Sequence, residues 1–306
     1  MSWTAEHAAD AAAFPDAIES VVEGLRQART DWRLAHPRNN ENGVHFPSRQ
    51  ALQRLGREIA IALFPLRLGP PELTVENENR YVAATLETTL SQLGAQIGLE
   101  FAYARADLNE RERSVEVERI LVDFAASLPD IRRLLDQDVE AGYAADPAAR
   151  SVDEVLLSYP TLSAVIHHRI AHRIHTLGAP LVARVLAEIA HGHTGVDIHP
   201  AATIGRSFFI DHGTGVVIGE TAIVGDRVRI HQGVTLGGDP AVQGDNSRVV
   251  ARHPIVENDV VIHANAVILG RVTIGARSFI GGNVWLREDV PADSIVEASP
   301  IVTRKG

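Results

Sequence analysis

The sequence predicts an α+β chain: an all-helical N-terminal part, then a coiled stack of short strands joined by tight turns. Three observations carry this. Glycine is split unevenly, with eight in residues 1–191 and sixteen in residues 192–306. In the first part apolar residues recur at helical spacing. In the second, branched aliphatics recur every six residues, a period that neither an α-helix nor a flat strand produces.

Residues 1–190 read as the helical domain. The stripe Ile120, Leu121, Phe124, Leu128 and Ile131 follows the i, i+3, i+4 rule of an amphipathic helix. Breaks are expected at Pro37–Gly43, Leu68–Pro71, Asp107–Asn109 and Asp146–Pro147. The segment 30–50 reads as a loop or a loosely ordered connection. Asp146 followed by proline also reads as an ordinary helix start, a cap and then the first helical position. The helical grammar stops at His191-Gly-His-Thr-Gly195.

Residues 191–306 carry the repeat. Its first run is Ile198, Ile204 and Ile210, its second Ile218, Val224, Ile230 and Leu236, its third Val256, Ile262, Ile268, Ile274, Ile280 and Leu286. A companion row of small or branched residues sits four positions after the beat, as at Ala222, Val228, Val234, Val260 and Ala266. A short strand plus a turn fits this beat, with the branched residue inward and glycine where the backbone bends. The beat slips twice, at loops 211–217 and 237–255. An insertion leaves a solenoid as a loop, and such loops commonly carry the binding face. Both contain histidine.

Composition narrows the chemistry. A formal charge of −10 argues against nucleic acid as the main partner. Zero cysteines exclude disulfides, thiolate metal sites and a cysteine nucleophile. The start has no basic, then apolar, leader, and no stretch suits a membrane span. The expectation is a cytoplasmic protein without membrane attachment.

The segments Asp197-Ile-His-Pro-Ala-Ala-Thr-Ile-Gly205, Ile210-Asp-His-Gly-Thr-Gly-Val-Val-Ile-Gly-Glu-Thr-Ala222, Gln232-Gly-Val-Thr-Leu-Gly-Gly238 and Arg252-His-Pro254 closely resemble the serine O-acetyltransferases. These are hexapeptide-repeat acyltransferases with a left-handed parallel β-helix. The match covers residues 142–290. The resemblance implies transfer of acetyl from acetyl-CoA to the hydroxyl of L-serine, the first step of cysteine biosynthesis, with no metal required. It implies a homotrimer with sites between subunits, or a dimer of trimers joined through the helical domains. It also implies feedback inhibition by cysteine at the serine site.

A serine hydroxyl needs a base within hydrogen-bond reach before it attacks a thioester. His212, in a loop that interrupts the beat, is the candidate, and it matches the family's general base. The resemblance makes Asp197 the carboxylate that orients it. His253 becomes a further catalytic residue that hydrogen-bonds substrate or transition state, and Arg252 the fork for the serine carboxylate, a role suited to paired planar donors. Asp146 and Asp211 match carboxylates that contact serine, Asp146 coming from the helical domain. Gly237, Gly238, Ala264 and Gly282 match positions along the coenzyme groove. Arg271, Arg277 and Arg287 are candidates for its phosphates. His167, His168, His172 and His175 share a helix, read as a polar face at a subunit contact in preference to a metal site.

Some features depart from the family pattern. Loop Asp239–Ala251 is long, His263 stands where the family usually has glycine, and the chain ends Lys305-Gly306. That ending lacks the isoleucine tail by which family members bind O-acetylserine sulfhydrylase, which argues against that complex. The rival readings are acyl transfer to homoserine or a sugar, use of another acyl-CoA, a γ-type carbonic anhydrase, and a non-catalytic assembly module. The repeat region has no H-x-x-x-x-H pair for the carbonic anhydrase reading.

Overall fold

The computed structural model describes residues 6–36, 45–105, 107–239 and 250–298. The chain divides into two compact units, residues 1–45 and 46–306. The first holds α1 (Glu6–Ala35), on which Ile18, Val21, Leu25 and Trp32 are exposed. Of the expected 30–50 connection, residues up to Ala35 are helical and 37–44 lie outside the described residues.

The second unit opens with α2 (Arg49–Leu63), α3 (Pro65–Leu68), α4 (Glu78–Ala104) and α5 (Glu110–Ala145). Helix α2 buries Leu52, Leu55, Ile59 and Leu63, one stripe at helical spacing. The break before α5 is a capping box: Asn109 accepts from the Glu112 N–H while the Glu112 carboxylate accepts from the Asn109 N–H. Helix α5 buries Ile120, Phe124, Leu128 and Ile131, and runs through Pro129. The chain then forms α6 (Val152–Ser158), α7 (Pro160–Thr176) and α8 (Pro180–Thr194). The Glu100 carboxylate accepts the N–H groups of Leu181 and Val182, satisfying donors that the first turn of α8 leaves orphaned. Gly195 ends α8 in the left-handed region, at φ 70°, as the glycine-rich stop predicts.

The reading of Asp146-Pro147 as a helix start is corrected here. Asp146 closes α5, its N–H donating to the Gly142 carbonyl, and the next helix begins at Val152 behind Ser151. Aspartate before proline suits a helix end equally well, because the residue before proline is pushed out of the helical region.

From Asp197 the chain winds into coils of three strands. The first holds β1 (Asp197–Ile198), β2 (Thr203–Ile204) and β3 (Phe209–Asp211), the second β4 (Val217–Ile218), β5 (Ile223–Val224) and β6 (Arg229–His231). The third holds β7 (Thr235–Gly237), β8 (Ile255–Val256) and β9 (Val261–Ile262), the fourth β10 (Val267–Leu269), β11 (Thr273–Ile274) and β12 (Phe279–Ile280). Strands β13 (Trp285–Leu286) and β14 (Ile295–Val296) complete the stack. Every third strand pairs in parallel, giving three sheets: A (β1-β4-β7-β10-β13), B (β2-β5-β8-β11) and C (β3-β6-β9-β12-β14). Each strand up to β13 contains one beat residue, and most of these are buried, forming a continuous core with Ala222, Val228, Val260 and Ala266.

Strand partners stand eighteen residues apart in regular coils, as at Val217 and Thr235. The offset is twenty across the first slip, from Asp197 to Val217, and thirty-two across the second, from Thr235 to Val267. The last coil is two residues short, with Phe279 opposite Ile295. That shift hides the end of the repeat in the sequence: Val290 bridges to Ile274 and Val296 pairs with Ile280, four and ten residues after Leu286.

The helices cover the first coil. Asp138 and Arg169 form a buried ion pair. The Arg169 guanidinium donates to the carbonyls of Ile204 and Gly205, and Asp138 accepts the Phe208 N–H. Each charge is thus paired and hydrogen-bonded, the condition on which a buried ion pair is tolerated. Among the described residues no helix is long and apolar enough to cross a membrane.

Candidate active site

Sheet A lies between two corners of the triangular stack, and the predicted residues sort onto them. At the corner between sheets C and A, the chain leaves β3 at Asp211 and kinks. His212 adopts φ 57°, unusual for a residue with a side chain, and Gly213 follows at φ 84°. A Cβ on Gly213 would lie 2.3 Å from the Thr161 methyl group, so the close approach to α7 requires glycine. The kink is fixed by Gly215 N–H donating to the Gly195 carbonyl at 2.8 Å and Val216 N–H to that of Gly213 at 3.0 Å. The His212 ring is held out into solvent, 77% exposed, its Nε2 3.8 Å from Asp211 Oδ1.

Asp146 comes to this same corner from the end of α5. Its carboxylate accepts from the Tyr159 hydroxyl and, at 2.8 Å, from the Ala148 N–H. Those bonds, with Arg229 and His212 nearby, hold its pKa below the usual carboxylate range. The carboxylate pushes the Tyr159 phenol up to about 12. Asp211 accepts from the Arg229 guanidinium, and His231 Nδ1 lies 3.5 Å from the same oxygen. Burial, reinforced by His263 and Arg229, pushes the His231 imidazole down. Its ring stacks on His263 at 4.4 Å, and His263 lies 4.7 Å from the Phe279 ring. Asp197 stands beside the kink, its N–H donating to Val216, but the carboxylate within 4 Å of the His212 ring is that of Asp211.

The corner between sheets A and B holds the other predicted pair. His253 is buried, and Nδ1 accepts the Thr221 N–H at 3.1 Å. A Cβ on Gly219 would strike the imidazole at 1.9 Å, so glycine makes room for the ring. Burial, with the Arg252 charge adding to it, lowers His253 to about 4, so the ring is neutral at physiological pH. The Thr221 hydroxyl accepts the N–H groups of Arg252 and His253. Arg252 donates to Glu220 at 3.2 Å, and its stem lies against Gly238. One chain therefore keeps His212 and Arg252 apart by the width of sheet A, about four extended residues or ~13 Å.

The small residues are distributed likewise. Gly282 lies over Ala264 one coil away at the first corner, where a Cβ would come 3.1 Å from the Ala264 carbonyl. Gly237 ends β7 beside Leu269, and Gly238 follows it. The three arginines weighed for phosphates each have a partner within the chain. Arg271 donates to the carbonyls of Thr221 and His253, Arg277 pairs with Asp293, and Arg287 lies 3.4 Å from Asp239. The α7 histidines do not form a polar outer face. His168 is buried in the chain, its pKa lowered by that burial, and His172 bonds the Pro200 carbonyl. No cluster of three or more metal-ligating side chains occurs among the described residues. Residues 240–249 of the long loop and the chain end from 299 lie outside the described residues.

Sequence reasoning missed Tyr159, Arg229 and His231. The last two flank the beat residue Ile230 and face Phe209 and Asp211 across β3 and β6. The signal was the twenty-residue offset of the first coil, which sets position 231 beside position 211.

The profile of the family described as bacterial transferase hexapeptide (six repeats) matches residues 253–288. The plasmid serine acetyltransferase of Synechococcus elongatus is 46% identical over 292 residues, covering 93% of this chain and 91% of that protein. The serine acetyltransferase of Mycobacterium tuberculosis is 48% identical over 163 residues, covering 53% of this chain and 69% of that protein. Serine acetyltransferase isoform 3 of Entamoeba histolytica, solved in complex with cysteine, superposes with a TM-score of 0.72 at 31% identity, covering 93% of this chain and 92% of that one. The soybean enzyme complexed with serine gives 0.54 at 29%, covering 82% and 97%. Identity over nearly the full length, joined to the helical region and the hexapeptide β-helix, is decisive: this chain belongs to the serine acetyltransferases, the left-handed β-helix enzymes that use acetyl-CoA as co-substrate.

Proposed function

We propose that the chain transfers acetyl from acetyl-CoA to L-serine with His212 as general base. The observation that carries this is the kink at His212, which projects one exposed imidazole beside two carboxylates, Asp211 and Asp146, each held by named donors. In this reading the ring takes the proton from the serine Oγ as that oxygen attacks the thioester carbonyl. The tetrahedral intermediate collapses, the C–S bond breaks, and the imidazolium returns its proton to the departing thiolate. Asp197, beside the loop, orients the ring and stabilises its charged form once substrate turns it inward.

Asp146 and Asp211 receive the serine ammonium and hydroxyl. Arg252 offers its fork to the carboxylate and neutral His253 a hydrogen bond. These two lie a sheet width from His212, so the reading draws them from a neighbouring copy, in a homotrimer whose first corner meets the second corner of the next subunit. The coenzyme would then run between copies along Gly237, Gly238, Ala264 and Gly282, where small residues allow close approach. The entamoebal and soybean relatives, solved with cysteine and with serine, support serine as the acceptor and a serine site that cysteine also enters. A thiol-release assay with acetyl-CoA over L-serine, L-homoserine and simple sugars tests the assignment. Serine is expected to give the highest kcat/KM; a clear preference for another hydroxyl would replace it.

A further inference from the structure

Asp146 and Asp211 reach one corner from different parts of the chain, one from the end of α5 and the other from β3. Something must fix their spacing, since two carboxylates left to themselves repel. Arg229 on β6 touches both parts. One nitrogen of its fork donates to the Asp211 carboxylate. The other donates at 3.0 Å to the carbonyl of Ala145, the residue immediately before Asp146. The guanidinium lies 5.8 Å from the Phe209 ring, and the side chain is about two-thirds buried (30% exposed), so the fork is seated before any substrate arrives. A guanidinium can do this because its donors are planar and diverge, whereas an ammonium is a point charge.

Charge gives a second argument. Of this trio, two carboxylates and one guanidinium leave a net single negative charge, the complement of one ammonium group. Without Arg229 the Asp146 and Asp211 pair would carry two, a poorer match for a single ammonium.

We infer that Arg229 is a positioning residue of the acceptor site, a strut that sets Asp211 against Asp146 and leaves the pair matched to the single ammonium of an α-amino acid. This rests on the reading that those two aspartates hold the acceptor. The experiment is steady-state kinetics on the full-length chain for Arg229→Ala, Arg229→Lys, Asp211→Asn and the double variant Arg229→Ala/Asp211→Asn. Loss of a charge-assisted bond is expected to raise the KM for L-serine about tenfold in Arg229→Ala. The KM for acetyl-CoA should stay within about twofold. Arg229→Lys should recover only part of the loss, and the double variant should be no worse than Asp211→Asn alone. An unchanged serine KM in Arg229→Ala, while Asp211→Asn raises it, would overturn the inference. Full recovery by lysine would reduce Arg229 to a charge, and additive losses would show that it does not act through Asp211; either overturns it too. An unchanged serine KM in Asp211→Asn would instead overturn the aspartate reading beneath it. Should Arg229→Ala fail to fold, Arg229→Lys and Asp211→Asn still separate these outcomes.

Discussion

The two corners flanking sheet A are built in opposite ways. At the first, His212 stands in solvent on a left-handed kink, among carboxylates. At the second, His253 is buried and neutral, wedged against Gly219 and tied to Thr221, with Arg252 alongside. The difference suits the division of labour proposed above. A group that must pick up and release a proton needs room to turn, whereas a group that hydrogen-bonds the substrate or transition state gains from being locked.

The largest expected effect breaks the comparison at its exposed side. His212→Ala should lower kcat by roughly 10²–10⁴-fold, the usual share of a general base. Turnover close to that of the parent chain would place the base elsewhere. Next comes the separation itself. If one site takes His212 from one copy and Arg252 from its neighbour, co-expressed His212→Ala and Arg252→Ala chains should complement. In randomly mixed trimers about a quarter of the interfaces regain both intact corners. Activity no higher than that of either parent would put both residues to work within one chain.

The smallest effect sharpens the locked side. A histidine whose folded pKa is depressed binds fewer protons folded than unfolded, so stability is full above the ordinary value of 6.5 and falls as pH drops toward 4. Melting curves between pH 7.5 and 4.5 should show this, each such histidine adding at most about 1.4 kcal/mol per pH unit. His253→Asn, which keeps an acceptor for the Thr221 N–H, should flatten the slope. A slope that does not change would mean that the ring is charged without penalty.

How far the sequence reveals this molecule depends on where each signal lives. The strands were legible because one buried aliphatic per strand must recur for the coils to stack, and β1 to β13 each contain theirs. Val290 and Val296 escaped because the last coil drops two residues and the beat loses phase. In the site, His212 and Asp211 lie inside a recognisable string. Arg229, His231 and Tyr159 acquire meaning only through residues thirteen to eighty-four positions away. An arginine and a histidine on the outward side of a strand look like solvated surface until the coil above them is known. The Asp146-Pro147 pair shows the converse, a local pattern that fits two opposite helix ends and is decided by its surroundings.

The fork of Arg169 and the carboxylate of Asp138 meet the Ile204 and Gly205 carbonyls and the Phe208 N–H on the first coil, where strands β2 and β3 pair with β5 and β6 on one side and, among the described residues, with no strand on the other. An uncapped solenoid end is a template for another chain to add to. Helices α5 and α7 therefore do for this stack what a stopper does for a tube. A chain cut back to its repeats would expose those polar groups beside Phe208 and Phe209, and should polymerise end to end into filaments.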